Sequence, residues 1–345
     1  MRLSPMAERT LIVEILVSLG VSPEHAAHQA HILVEGDLRG HASHGLQRLP
    51  ILVERLRAGL AAAEPQIGLR WATPSILQAD GGRGLGPVVA FAALDALVNR
   101  VAAQGIVVAG IRNANHLGML APYLEYLTDR SLIGLGFTTS EPLVHPWGGR
   151  DAMIGTNPIG IAVPTSMGPA VLDMATGAIS AGAVRTAALR GEDLPEGCAV
   201  DQHGSPTTDP SAAILGAISP FGGAKGFGLG LMLELLVGAM TSTALGRSVT
   251  GTLDSETVCN KGDLFICIDP AAGGGATTEH LGRFIEEIHN AAPSPGSSGV
   301  QVPGDRARKR RDHHLEVGVE ISAATWGQVS AIADELGVRT PTQEV

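Results

Sequence analysis

The sequence predicts an α/β protein with a helical amino-terminal stretch, on three observations. Apolar residues recur at helical spacing through the first seventy positions. After Pro65, short β-branched runs alternate with longer helical patterns, the texture of a sheet covered by helices. The chain has 345 residues, 44% of them hydrophobic, which excludes global disorder and suffices for two domains.

Each element has a local reason. Apolar spacing from Met6 to Leu19, stopped by Gly20, predicts a first helix. Ser22-Pro23 supplies a capping hydroxyl and a first-turn proline for a second helix running to Asp37. A third covers Pro50–Leu56 and ends near Gly59. Strands are predicted at Ile106–Ile111, Leu132–Phe137, Ile159–Val163, Ala170–Met174 and Leu264–Ile268. Helices are predicted at Leu85–Ala103, Leu117–Thr128 and Lys225–Ala239. The Gly-, Ala-, Pro- and Ser-rich stretches Ala271–Thr278 and Ala292–Gly299 read as loops or insertions. A last helix, Ala323–Leu336, precedes a polar tail. The pattern does not specify strand order.

Composition narrows the function. The 45 glycines lack a three-residue period, which excludes collagen and places many at turns and close backbone approaches. Aromatics at 3% argue against base-stacking platforms. A net charge of −10 disfavours nucleic-acid and anionic-membrane partners. Cys198, Cys259 and Cys267 form no CxxC and are too few for a disulfide framework, which points to a reducing compartment. Glu8 and Glu14 interrupt the apolar pattern of the amino terminus, so it reads as an amphipathic helix rather than a signal peptide. No run of about 18 uncharged apolar residues is apparent, so the expectation is a soluble, cytoplasmic protein without a membrane span.

The common nucleotide and hydrolase motifs are missing. Gly82/Gly84 meets Pro87, and Gly226/Gly228 meets Leu231, where G-x-G-x-x-G needs its third glycine. Walker A, G-x-S-x-G and H-E-x-x-H are also absent. Four clusters remain. The first, Asp37 to Arg48, lies between two predicted helices and brings together Ser43, His44 and Arg48. A histidine titrating near neutrality can exchange a proton with a substrate oxygen, and a guanidinium matches a carboxylate. The same residues read equally well as a helix-connecting loop with surface histidines. Asn113 to Gly118 follows a predicted strand, so His116 could touch a ligand or sit in an Asn-rich turn. Pro146–Gly149 and Gly155–Pro158 are glycine turns that could contact a ligand. Phe221 to Gly228, with Lys225, opens a long helix and could bind an anion such as a pyrophosphate. His25, His28 and His31 share one helix face without companion ligands, which favours a solvated face over a metal site. The basic run Arg306–Arg311 is either solvated or a holder for a dinucleotide phosphate.

In order along the chain, DLRGHASHGLQRLP (37–50), NANHLGMLAPY (113–123), PWGGRDAMIGTNPIGIAVP (146–164), LDMATGAISAG (172–182), FGGAKGFGLGLMLELL (221–236) and VQVPGDRARKR (300–310) resemble the malate/L-lactate dehydrogenase family that lacks the Rossmann fold. The resemblance spans nearly the whole chain. It implies a family-specific, non-Rossmann NAD(P)-binding sheet domain at 71–314. It also implies a small helical domain from both termini, 1–70 with 315–345, and a homodimer.

By position it implies that His44 exchanges the proton, oriented by Ser43, with His116 a rival for that role. Arg48 would hold the substrate carboxylate, and Thr156 would line the same pocket. Around the cofactor it places His116, Leu117, Gly118, Met119, Leu120, Ser140, Met174, Ala175, Thr176, Lys225, Gly226, Gly304, Arg306 and Arg308. Ala183 stands where relatives carry Lys or Asp, so no relay is assigned there. The expected reaction is hydride transfer between NAD or NADP and a small 2-hydroxy or 2-oxo acid resembling malate, lactate or sulfolactate. The basic run leans toward NADP. The alternatives are reduction of a cyclic imino acid, a catalytically degenerate nucleotide-binding protein, and a zinc hydrolase using the many histidines.

Overall fold

The computed structural model describes residues 1–275 and 277–341. Ala276, in the expected loop region, and residues 342–345, in the expected polar tail, lie outside the described residues.

The chain opens with a two-residue strand β1 (Arg2–Leu3), then α1 (Pro5–Ser18) and α2 (Pro23–Leu38). Ser4 and Ser22 accept hydrogen bonds from the Ala7 and His25 amides, and a proline follows each cap, which is why both helices start there. Two 3-10 turns, Ala42–His44 and Leu46–Arg48, lead into α3 (Leu49–Arg57). Next come β2 (Gly68–Thr73), β3 (Ile76–Gly84), α4 (Gly86–Gln104), β4 (Ile106–Ala114), α5 (Ala121–Thr128), β5 (Ile133–Thr138), β6 (Ile159–Val163) and β7 (Ala170–Met174). After these lie α6 (Ala181–Arg190), β8 (Ala199–Val200), α7 (Pro210–Leu215), β9 (Ala217–Ile218), α8 (Ala224–Thr241) and β10 (Asp263–Ile268). The chain closes with α9 (Thr278–His289), α10 (Asp305–Val317), β11 (Val319–Glu320) and α11 (Ala323–Glu335).

Seven strands form one sheet in the order β2-β3-β4-β10-β5-β6-β7. Every neighbouring pair is antiparallel except β3 and β4, which run parallel across the α4 crossover. The late strand β10 sits at the centre, with Phe265 opposite Ala109 on one side and Gly136 on the other. On one face, α4 and α5 bury Val89, Leu94, Leu97 and Tyr123 against Leu77, Val107 and Phe265. On the other, Leu233 and Val237 of α8 pack on Phe137 and Leu264. A separate core joins both ends of the chain: Leu11, Ile15, Leu33, Leu49 and Val53 meet Val319, Ile321 and Val329. Pairing of β1 with β11 fastens the ends, and the Met1 amine donates to Ile321 O at 2.9 Å.

Several expectations need correction. β2 is exposed along most of its length and β3 ends in Asp-Gly-Gly-Arg-Gly, so neither showed a strand pattern. α5 starts four residues later than predicted, because Pro122 takes the first turn and Gly118 (φ +83°) breaks regular backbone before it. An amphipathic helix, α9, lies between the two low-complexity stretches. Residues 305–310, which carry most of the basic run, form the start of a helix, α10, that no sequence pattern announced. His28 and His31 do not lie on a solvated face; they pack on the Phe91 ring. By length and composition α4 and α8 could each cross a bilayer, although each carries two charged residues, Asp95 and Arg100 in α4 and Lys225 and Glu234 in α8, so neither is an uncharged apolar run. Most of α4 is buried under the sheet, whereas α8 leaves Met232, Leu235 and Leu236 exposed.

Candidate active site

The segment after α2 is shaped by its own glycines and one buried carboxylate. Asp37 Oδ2 accepts the Leu46 amide at 2.5 Å. A Cβ on Gly45 would fall 2.1 Å from Asp37 Cγ, and one on Gly36 2.6 Å from the His44 carbonyl oxygen. No side chain fits at either place, so the turn carrying Ser43 and His44 is clamped against the end of α2. Glu8 of α1 lies against Asp37, and both are buried. Burial and mutual repulsion push Glu8 well above the carboxylate range, and burial raises Asp37 to about 6.

The second segment is anchored from both sides. Arg55 Nε donates to Asn115 Oδ1 at 2.9 Å, and Asn115 Nδ2 donates to the Arg83 and Gly84 carbonyls. Next to it, the Gly118 amide donates to His116 Nδ1 at 3.1 Å. That bond places the proton of the neutral imidazole on Nε2. The His44 and His116 rings stack with centroids 5.7 Å apart, although 72 positions separate them. Ser43 Oγ lies 3.3 Å from His44 Nδ1; a hydroxyl can donate or accept, so this contact suits either protonation state of His44.

Arg48 completes the group. Its Nη2 donates to the Thr252 carbonyl at 2.5 Å, while its buried Nε has no partner among the described residues. Glu141 accepts from the Thr252 and Leu253 amides and the Thr252 hydroxyl, which holds the carbonyl that Arg48 meets. Burial and the neighbouring Arg185 and Arg55 lower Arg48 to about 10, so it stays charged at neutral pH. Burial, then Arg48 and His41, depress His44 to about 4. Burial and Arg48 likewise carry His116 well below the ordinary histidine value. Two neutral imidazoles beside a cation thus face one cavity of about 250 Å³, lined by Ser43, His44, Arg48, His116, Ser140 and Thr156. Ser140, expected beside the cofactor, is therefore with the substrate candidates; its hydroxyl accepts the Thr156 amide at 3.2 Å.

A second cavity, about 410 Å³, opens beside α10 and is lined by His41, Met119, Asp173, Gly304, Arg306 and Arg310. Among the described residues Arg306 and Arg310 make no ion pair, and at Gly304 (φ +97°) a side chain would be strained by the backbone and tight against Val171 O, 3.1 Å from its Cβ. A cationic, glycine-edged recess of this kind fits the phosphates of a dinucleotide. The other expected cofactor residues are placed differently. Leu117 and Leu120 are buried in the sheet core. Thr176 is buried and donates to the Thr156 carbonyl, supporting the first cavity from behind; Met174 and Ala175 precede it at the end of β7. Arg308 donates to the Met167 and Pro169 carbonyls. Lys225 is exposed and lines neither cavity, while a Cβ on Gly226 would overlap Phe221 O at 1.9 Å, so that glycine serves helix packing. Sequence reasoning missed Glu141 and Arg185, single charged residues outside any pattern. It also missed Asp173, whose Oδ2 accepts the Leu120 and Ala121 amides at 2.8 Å each.

Comparison with known proteins places this geometry. The family profile for malate/L-lactate dehydrogenases matches residues 3–330. A malate/(S)-sulfolactate dehydrogenase of Methanothermus fervidus is 38% identical over 338 residues, covering 98% of this chain and 99% of that protein. A dehydrogenase structure from Sinorhizobium meliloti superposes with TM-score 0.93 at 45% identity, covering 96% of this chain and 98% of the other. The sulfolactate dehydrogenase of Methanocaldococcus jannaschii gives TM-score 0.92 at 37% identity, with 99% and 98% covered. The chain belongs to the malate/L-lactate dehydrogenase family and is a nicotinamide-dependent oxidoreductase.

Proposed function

We propose that the protein interconverts a small 2-hydroxy acid and its 2-oxo acid, with His44 as the proton-exchanging group and Arg48 as the carboxylate holder. The observation that carries this is the convergence of His44, His116 and Arg48, with its unpartnered Nε, on one small cavity. When bound, the nicotinamide supplies or accepts the hydride at the substrate carbon. The chain's own groups orient the acid and handle the proton. Because Nδ1 of His116 is taken by the Gly118 amide, its Nε2 carries hydrogen and can only donate to the substrate oxygen. His44 has no such restriction and is free to take the hydroxyl proton or return it. A panel of 2-hydroxy acids, with pyrroline-2-carboxylate as the imine comparator, tests the reading at the reduced-nicotinamide absorbance. Arg48→Ala should raise the substrate KM by about a hundredfold, as for a lost charge-assisted hydrogen bond. An unchanged KM refutes the carboxylate role.

Arg306 and Arg310 support a preference for NADP, whose extra phosphate such a pair would neutralise. The double variant Arg306→Ala/Arg310→Ala should raise the KM for NADP much more than that for NAD. Equal effects on both cofactors would remove the preference. The exposed apolar face of α8, with Met232, Leu235 and Leu236, supports a homodimer. Light scattering should give twice the chain mass for the wild type, and Leu235→Lys/Leu236→Lys should shift it to monomer. The three cysteines are free and buried, which supports a reducing, cytoplasmic location.

A further inference from the structure

We infer that Arg55 is a positioning residue for the reaction: it ties the turn carrying His116 to the loop whose carbonyl meets Arg48, and so fixes two sides of the substrate cavity relative to each other. This rests on the dehydrogenase reading above and deepens it. Arg55 is an anomaly on its own helix. The apolar period of α3 buries Leu49, Leu52 and Val53, and Arg55 is buried with them, 2% exposed. Among the described residues no carboxylate pairs with it, and its Nη2 has no hydrogen-bond partner. A buried cation that meets only neutral groups is costly, so packing of the helical core does not account for it.

Its hydrogen bonds reach two segments far apart in sequence. Nε donates at 2.9 Å to Oδ1 of Asn115, the residue before His116. Nη1 donates to the Asp254 and Thr257 carbonyls at 2.6 and 3.1 Å. Both segments are stiff. Asn115 is 1% exposed and its Nδ2 is spent on the Arg83 and Gly84 carbonyls. Asp254 Oδ1 accepts the Glu256 and Thr257 amides, and Ser255 donates to Glu54, the neighbour of Arg55. Arg48 lies seven positions before Arg55, about two helical turns, so both arginines meet the same loop, Arg48 through the Thr252 carbonyl. Arg48, His116, Thr252 and Leu253 line the substrate cavity, whereas Arg55 does not, so it acts through these neighbours. Only a planar fork can hold both segments at once; an ammonium would have to choose.

Two measurements test this. The first is a double-variant cycle read in kcat. Arg55→Met should lower kcat about 30-fold, as misplaced reacting groups do, with the KM for NAD(P) unchanged. Asn115→Ala should lower kcat in the same direction, and Arg55→Met/Asn115→Ala should fall no further than Arg55→Met alone. Losses that multiply, or a raised cofactor KM, overturn the assignment. If Arg55→Met does not fold, Arg55→Lys, which keeps the charge and stem but not the fork, takes its place in the cycle. The second is nitrogen NMR of labelled histidine, with His116→Asn identifying the ring signals of His116. In the wild type these should report hydrogen on Nε2. In Arg55→Met or Arg55→Lys they should move toward a mixture of the two neutral tautomers, and an unmoved pattern overturns the proposal. This readout needs no turnover: if no hydroxy acid is oxidised but the His116 signals depend on Arg55, the reaction reading fails and the positioning stands.

Discussion

His44→Asn should lower kcat by about 10³-fold, within the range removed when a positioned general acid or base is lost. Asparagine keeps much of the shape of the ring and a hydrogen bond to Ser43, but it cannot exchange a proton. His116→Asn should have a smaller effect, because the neutral His116 only donates from Nε2. The pH profiles separate the two roles. In the free enzyme His44 is held down to about 4 by burial and by Arg48. Oxidation needs the unprotonated imidazole, so its kcat/KM should stay flat near neutrality and fall as pH drops toward 4. Reduction needs the imidazolium and should speed up over the same range. A bound carboxylate cancels the Arg48 charge, so the acid limb in kcat should lie at higher pH than in kcat/KM. This limb should survive in His116→Asn and vanish in residual His44→Asn activity. The opposite pattern would exchange the two assignments.

The largest stability effect should come from Lys261→Met. Lys261 and Asp263 are each about 1% exposed and pair with one another at the start of β10. Asp263 faces Ile111 of β4 and Thr138 of β5, so the pair lies under the segments that carry His116 and Ser140. Removing the ammonium leaves a buried carboxylate whose Oδ2 already lacks a partner among the described residues. The cost of such a stranded charge is about 3–5 kcal/mol. Lys261→Met/Asp263→Leu, which removes both charges and keeps volume, should recover most of it. Denaturant unfolding would measure both; a single variant within about 1 kcal/mol of wild type would mean that Asp263 finds another way to neutralise its charge.

The parts of this fold that were legible in sequence are those where one local signal dominates. Ile159–Val163 and Ala170–Met174 are bounded by turn residues and form strands over those same ranges. Ser22-Pro23 starts α2 as its chemistry requires. Strand order was not legible, since nothing in 264–268 announces insertion between strands that precede it by more than a hundred residues. The helix α10 was hidden because its basic run buries no residue and so has no apolar period. At the site, Ser43, His44 and Arg48 stood out because three chemically useful types share six positions. His116 and Thr156 gained their meaning from the resemblance, and the cavity now holds them with that trio. Lys225 shows a signal with two readings. A glycine-rich helix entry suits an anion, but it equally suits close packing, and Gly226 against Phe221 and Gly230 against Thr176 do the latter. Arg185 carried no signal, because a single arginine on a short helix has no period or spacing to read.

Asp173 has a bearing on how such a protein can change over evolutionary time. In many α/β proteins the amides at a helix start grip the cofactor phosphate, so cofactor choice is embedded in the backbone of the fold. Here the amides of Leu120 and Ala121, which open α5, are already occupied by an internal carboxylate. On the reading proposed above, the cofactor phosphate would be met by side chains on α10, a helix with no buried residue among the described ones. A lineage built this way can trade one nicotinamide cofactor for the other by a few surface substitutions, with the sheet and the proton-handling pair left intact.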